Sequence, residues 1–375
     1  MKKVVIAIDS FKGCLPSAEA GKAAAEGIRS VYPECEVICL PIADGGEGML
    51  DVLIMATNGQ EVPISAHDPL MRWRNTYYGI SENGETAFIE MASISGLPLV
   101  PPERRNPMLT TTYGTGEIIR DALERGCRNF IIGIGGSATN DAGLGMLQAL
   151  GFRFSDKEGK EVGTGRGEVL IKVAYIDSTC VHPALNSCRF TVACDVQNPF
   201  YGPEGAAYVF APQKGAGREM VEALDAGLQN FAEVIRHTTG KDISHHPGAG
   251  AAGGMGGSLL AFLNAELKPG IQLMLEALDF SNKIKSADLI ITGEGKADRQ
   301  TLMGKVPSGI LAEARKQNIP VILLAGNIED SDELQQAGFE GVFSVNPPFI
   351  SLEEAMRPEV ARKNIQQTVE SICKK

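Results

Sequence analysis

The chain alternates short apolar runs with longer amphipathic stretches. "VVIAI" before Asp9, the amphipathic stretch after it, and "EVICLPI" predict a strand over 4–9, a helix over 16–30 and a strand over 36–42. This is a β-α-β unit, and Pro16 suits a first helical turn. Near the other end "ADLIITGEG", a helix over 304–317, "PVILLAG", a short helix and "GVFSV" repeat the alternation, and "LEEAMRPEVARKNIQQTVESICKK" closes as a helix. Apolar runs without polar interruption mark strands buried on both faces, so both ends belong to one doubly wound, mostly parallel α/β sheet domain.

The middle of the chain has a different texture. "RWRNTYYGI" and "ETAFIEMA" flank the Asn-Gly pair at 83 and 84, which predicts an antiparallel hairpin. A helix over 114–126, an apolar run emptying into "GIGGSATNDAG", the strand "RFTVACDV", a long helix over 217–239 and a helix over 257–267 complete a second, inserted α/β domain with a mixed sheet. The expected division is 1–64 with 285–375 as a Rossmann-like, flavodoxin-like domain and 65–284 as the insertion, with the active site in the cleft between them. The Gly/Ala stretch over 248–257 is too short for a linker and is expected to lie against a ligand or another helix.

Composition bounds the function. A chain of 375 residues with 43% hydrophobic content buries enough apolar surface for two domains. Its net charge of -11 disfavours general attraction to nucleic acid or anionic lipid, while leaving room for a local basic pocket. The short apolar stretch before Asp9 is no signal segment, which predicts a cytoplasmic protein with no membrane partner. The eight cysteines form no C-x-x-C pair and read as buried free thiols, and His245 and His246 lack zinc-ligand spacing.

Four acidic turns fall where strands are expected to end: "IDSFKG", "ADGGEG", "CDVQNP" and "TGEGKAD". In open parallel sheets the carboxyl ends of strands line the ligand crevice, which favours polar residues placed there over those elsewhere. Lys12, Lys296 and Lys305 are candidates to neutralise a transferred phosphoryl group. Asp195 and Glu294 are candidate Mg²⁺ ligands, and Asp44, with Gly45 and Gly46 letting backbone approach closely, is a candidate to accept a hydroxyl proton. Asp195 is a second candidate for that role. In "GIGGSATNDAG" the N–H groups of Gly135, Gly136 and Ser137 suit an anion at a helix start, with Asn140 and Asp141 completing the site, although Asn and Asp are also common helix caps. Gly254, in "GAAGGMGG", marks a second helix entry suited to phosphate or to close packing. Neither G-x-x-x-x-G-K-[ST] nor G-x-G-x-x-G is present.

Taken together, "AIDSFKG", "PIADGGEG", "TYGTGEII", "GIGGSATNDAG", "GAAGGMGG" and "ITGEGKAD" resemble the bacterial glycerate kinase family, type I, in order and along the whole chain. The resemblance implies a transferase that phosphorylates glycerate with ATP and Mg²⁺, gives 2-phosphoglycerate and ADP, and leaves the oligomeric state, a homodimer included, open. It carries over onto Asp9, Ser10, Lys12, Asp44 to Gly46, Gly135 to Asp141, Asp195, and Glu294 to Asp298, hence Lys296 and Asp298. Arg72, Arg104 and Arg105 are candidate partners for the glycerate carboxylate. Two rival readings have their own signatures: an NAD-dependent hydroxy-acid dehydrogenase, which needs the dinucleotide fingerprint absent here, and a sugar-acid binding protein without turnover.

Overall fold

The computed structural model describes residues 1–46 and 48–374, so that Glu47 of the "ADGGEG" turn lies outside the described residues. Two compact units are formed, Met1–Asp44 with Ile271–Lys375, and Gly45–Gly270. Strand β1 (Lys3–Ile8) is buried from Val4 onward, and the helix Ser17–Val31 leads to β2 (Glu36–Cys39). The inserted unit contains β3 (Gln60–His67), β4 (Trp73–Ile80), β5 (Thr86–Glu90), β6 (Asn129–Gly133), β7 (Arg153–Ser155), β8 (Tyr175–Asp177), β9 (Arg189–Ala193) and β10 (Glu266–Lys268). The chain then returns to the first unit in β11 (Leu289–Ala297), β12 (Val321–Ile328) and β13 (Gly341–Ser344).

The first unit holds a wholly parallel sheet in the order β13-β12-β11-β1-β2. Connections run from β1 to β2 on one side and from β11 through β12 to β13 on the other, so the strand order reverses between β1 and β11. In the inserted unit the order is β10-β9-β6-β5-β4-β3, parallel except for the antiparallel pairs β3–β4 and β4–β5. The Asn-Gly hairpin is present between β4 and β5, with Gly84 at a φ of 74°. A small antiparallel pair, β7 and β8, which the sequence pattern did not reveal, stands apart from that sheet.

Several boundaries differ from expectation for identifiable reasons. A division at 64/65 would cut β3, which pairs with β4 along its whole length, and the helix Met49–Ala56 belongs with the same sheet because Leu50 N–H donates to Glu90 Oε1 at 2.8 Å. At the second crossing Ile271 packs on Gly309, where a Cβ would come within 2.3 Å of Ile271 Cγ1, so residues 271–284 go with the first unit. Strand β11 continues through Ala297, which puts Glu294 and Lys296 inside the strand rather than in a turn after it. The terminal helix is two helices, Leu352–Ala355 and Pro358–Cys373, because Pro358 drives Arg357 to an extended ψ of 125°. The helix expected over 257–267 is Met255–Phe262, with β10 after it.

No described helix is long and apolar enough to cross a membrane. All eight cysteines are free, with Cys35 and Cys127 buried and Cys180 exposed.

The first unit's core is sealed by the helix Ser17–Val31 lying on Pro358–Cys373. Gly27 makes the approach possible, since a Cβ there would meet Gln366 O at 2.5 Å and Val369 Cβ at 3.0 Å. Alanine in a helix interior normally gains about 1 kcal/mol over glycine. Here overpacking, typically about 1–3 kcal/mol, opposes and exceeds that gain. Gly27→Ala is therefore expected to lower the thermal melting temperature, and a raised one would contradict this packing.

Candidate active site

The strand reversal between β1 and β11 assembles most of the predicted acidic and basic residues of the first unit. The ladder runs one residue past β1, with Asp9 N–H donating to Gly293 O at 2.9 Å, so that the Asp9 side chain emerges at the carboxyl edge near Glu294. Next comes a tight loop pinned by the Phe11–Leu15 bridge, both residues buried, with Gly13 at a φ of 71° and Lys12 exposed at its tip. A cavity of about 330 Å³ opens there. Asp9, Ser10, Lys12, Asp44, Glu294, Lys296 and Lys305 line its polar part, and Phe11, Val345, Leu352 and Met356 contribute an apolar wall.

Crowded carboxylates dominate this edge. Asp9 is 7% exposed, and burial first, then the charge of Asp44, pushes its carboxyl up to about 7. Glu294 adds to the push, while Lys12 and the Ser10 N–H, which donates to Asp9 Oδ1 at 2.7 Å, oppose it. Glu294 is also raised, chiefly by burial, although Thr301 Oγ1 donates to its Oε1 at 2.5 Å and Lys305 Nζ lies 3.8 Å from Oε2. Lys296 instead pairs with Glu329 at 3.0 Å and lies 3.6 Å from Asp298. Asp298 itself caps the short helix Arg299–Leu302, its Oδ1 accepting from Gln300 N–H at 2.9 Å, which accounts for its position without a ligand. Asn327 and Asn346, which no motif indicated, complete the polar lining.

The inserted unit departs further from expectation. The helix after "GIGGSATNDAG", Leu144–Ala149, has six residues, and its entry is already occupied. The wholly buried Asp141 carboxylate accepts from Thr112 N–H and Oγ1, both at 2.8 Å, and from Gly143 and Gly145 N–H, both at 3.2 Å. Burial pushes its carboxyl up against the pull of those bonds. Met146 N–H is taken by Thr112 Oγ1 at 2.9 Å. Asp141 is thus an internal cap rather than a ligand-facing acid. At the second helix entry Gly256 and Gly257 N–H donate to Ala251 O and Ala249 O, and Gly254 N–H to Gly250 O. This glycine stretch exists for close packing: a Cβ on Gly253 would lie 2.1 Å from Thr139 O.

Other predicted residues are scattered over the inserted unit. Gly135 and Gly136 are exposed, and Gly45 lies against Ala193 and Gly270, where a Cβ would come within 2.9 and 2.8 Å of them. Gly46 is half-buried in the bend after Asp44. Asp195 is exposed, and its Oδ1 accepts from Gly270 N–H at 2.8 Å. It belongs to a different unit from Glu294, and among the described residues no group of three or more His, Cys, Asp or Glu side chains could hold a metal ion. Of the candidate arginines, Arg72 is committed to buried Asp68, with Nε and Nη2 at 2.8 and 2.6 Å from Oδ2, Arg104 is exposed and Arg105 half-buried.

Sequence reasoning missed Lys214. It is 2% exposed, and its Nζ donates to Ser137 Oγ at 2.7 Å and Thr139 O at 2.6 Å. Burial brings its ammonium down to about 7, with Asp141 opposing the shift. A signal existed: Lys214 is the sole charged residue between Glu204 and Arg218, in a run dominated by Ala, Gly and other uncharged residues.

A parallel sheet whose strand order reverses beside a crevice of mixed charge places the chain among doubly wound α/β proteins that hold small ligands at the carboxyl ends of their strands. Comparison with known proteins narrows this. The glycerate kinase family matches residues 4–375, and the chain belongs to that family. A Bacillus subtilis protein named glycerate kinase is 46% identical over 99% of this chain and 97% of its own. An Escherichia coli protein named glycerate 2-kinase is 48% identical over 95% of this chain and 93% of its own. A solved Salmonella typhimurium structure, titled as a glycerate kinase 2, matches with a TM-score of 0.91 at 44% identity, covering 100% of this chain and 97% of that one.

The raised Asp9 carboxyl has a consequence for stability. An acid whose pKa is higher folded than unfolded binds more protons in the native state between the two values, so stability falls as pH rises through that window. For Asp9 the window runs from 3.8 to about 7, with the full penalty present above it. Asp9→Asn is expected to melt higher than the wild type at pH 8, with the gain vanishing by about pH 4. Equal melting temperatures at pH 8 would show that the carboxylate bears no such penalty.

Proposed function

We propose that the protein phosphorylates glycerate at its C2 hydroxyl with ATP, giving 2-phosphoglycerate and ADP. Family membership and the name of the Escherichia coli relative, glycerate 2-kinase, support the reaction and its product. The observation that carries the reading within the molecule is Asp9, a buried carboxylate at the strand reversal whose pKa of about 7 suits a proton acceptor at neutral pH. Asp9 takes that role ahead of Asp195, which is exposed, and of Asp44, whose charge raises Asp9.

In the proposed reaction the glycerate O–H gives its proton to Asp9 as the oxygen forms its bond to the γ-phosphorus. The bond from that phosphorus to the bridging oxygen breaks, and the electron pair leaves with ADP. Transfer of this kind needs positioning and charge stabilisation more than covalent chemistry. Lys12, exposed on its pinned loop, and Lys305, beside Glu294, supply positive charge at the cavity. Mg²⁺ enters as part of the nucleotide substrate, where it shields the phosphate charges. The apolar wall of Phe11, Val345, Leu352 and Met356 gives the same cavity a surface for an uncharged part of a substrate.

Incubation with ATP, Mg²⁺ and glycerate, then phosphorus NMR of the product spiked with each authentic isomer, is expected to show a C2 monoester. A predominant C3 ester would contradict the assignment. Asp9→Asn and Lys12→Ala are each expected to lower kcat by about a hundredfold or more. Near-normal turnover would remove the corresponding residue from the reaction.

A further inference from the structure

The inserted unit buries polar groups that the described residues do not satisfy. Asn140 is fully buried, and neither its amide nitrogen nor its carbonyl oxygen has a hydrogen-bond partner among the described residues. Thr139 Oγ1 is in the same position. Native interiors pair nearly all such groups, so two unpaired neighbours in one loop call for a partner that the described residues do not provide. Lys214 reaches this loop from outside it, but its two bonds, to Ser137 Oγ and Thr139 O, go to uncharged oxygens. An ammonium has three donors, and the third has no partner among the described residues. The neighbouring Asp141 carboxylate is spent on four donors from Thr112, Gly143 and Gly145. A Cβ on Gly167 would lie 3.2 Å from the backbone carbonyl of Asn140, and the adjacent Arg166 has a buried Nε without an acceptor among the described residues.

We infer that Lys214, Asn140 and Thr139 form an oxyanion receptor in the inserted unit, taking a carboxylate or phosphate of one of the enzyme's own substrates. The inference rests on the kinase reading, which supplies two such anions, the carboxylate of glycerate and the phosphates of the nucleotide. A buried cation resting on neutral oxygens is complemented by an anion, and the Asn140 amide and Thr139 hydroxyl donate hydrogen bonds beside the charge. Asn140 Oδ1 remains to accept from a hydroxyl, a feature that an α-hydroxy carboxylate would use. Ser137 acts by positioning, because its hydroxyl holds the Lys214 ammonium.

Calorimetric titration of the full chain with glycerate alone and with Mg²⁺ and a non-hydrolysable ATP analogue tests this on the wild type, Lys214→Met and Asn140→Leu. Both variants are expected to lose about tenfold or more in affinity for the same one of the two ligands and to keep the other. Loss of glycerate identifies the carboxylate as the occupant, and loss of the analogue identifies a phosphate. Asn140→Leu also removes an unsatisfied buried amide, so its melting temperature is expected to hold or rise while affinity falls, and it carries the test where Lys214→Met does not fold. Wild-type affinity for both ligands in a folded Asn140→Leu would overturn the receptor and leave the amide as an internal feature only. A wild type that binds neither ligand would overturn the kinase reading itself.

Discussion

Pairing of β1 with β11 is the constraint on which the candidate site depends. These strands lie at opposite ends of the chain, yet they run parallel in register from Val4 with Leu289 to Ile8 with Gly293. That register decides which side chains meet at the carboxyl edge. Asp9 emerges where β11 carries Glu294, and Asp44 lies close enough to raise the pKa of Asp9. A crevice at a strand reversal is open by topology, because the connections on its two sides run away from each other. Here the fold fills that opening with carboxylates and sets Lys12 and Lys305 against them.

Such crowding costs stability, and the cost is local to the site. Burying a carboxylate near another charge of the same sign favours its protonated form, which is the state Asp9 adopts through much of the acidic range. Glu294 is steadied by Thr301 and Lys305, whereas among the described residues Asp9 is steadied by the Ser10 N–H at 2.7 Å and the charge of Lys12. Acids in one cluster are thereby divided into one held by partners and one poised to exchange a proton. That division is common where a site must accept a proton near neutral pH.

Much of the architecture was legible in the hydrophobic pattern. The continuous apolar runs of β1, β11 and β12 announced a parallel sheet, and the Asn-Gly pair announced the hairpin between β4 and β5. Local motifs placed Asp9, Lys12, Asp44 and Glu294 at strand ends, and the structure gathers all four around one cavity. The features that stayed hidden depend on contacts between distant segments. Asp141 reads as a ligand in its own motif, but Thr112, 29 residues away, claims its carboxylate. Lys214 reads as an isolated lysine, but it is bonded to Ser137 across 77 residues. The glycine stretch over 248–257 looks like a phosphate nest until the backbone of Thr139 is seen against Gly253. Periodicity reports which face of an element is buried, and it carries no information on which buried polar groups meet.

The central claim is that Asp9 exchanges its proton near pH 7, well above an ordinary carboxyl, because it is buried beside Asp44 at the strand reversal. Carbon-13 NMR titration of the carboxyl groups tests this directly, with Asp9→Asn assigning the signal. One carboxyl is expected to titrate near pH 7, to vanish in Asp9→Asn and to move to lower pH in Asp44→Asn, where a repelling charge is gone. An Asp9 carboxyl titrating near 4, or one unmoved by the loss of Asp44, would contradict the account.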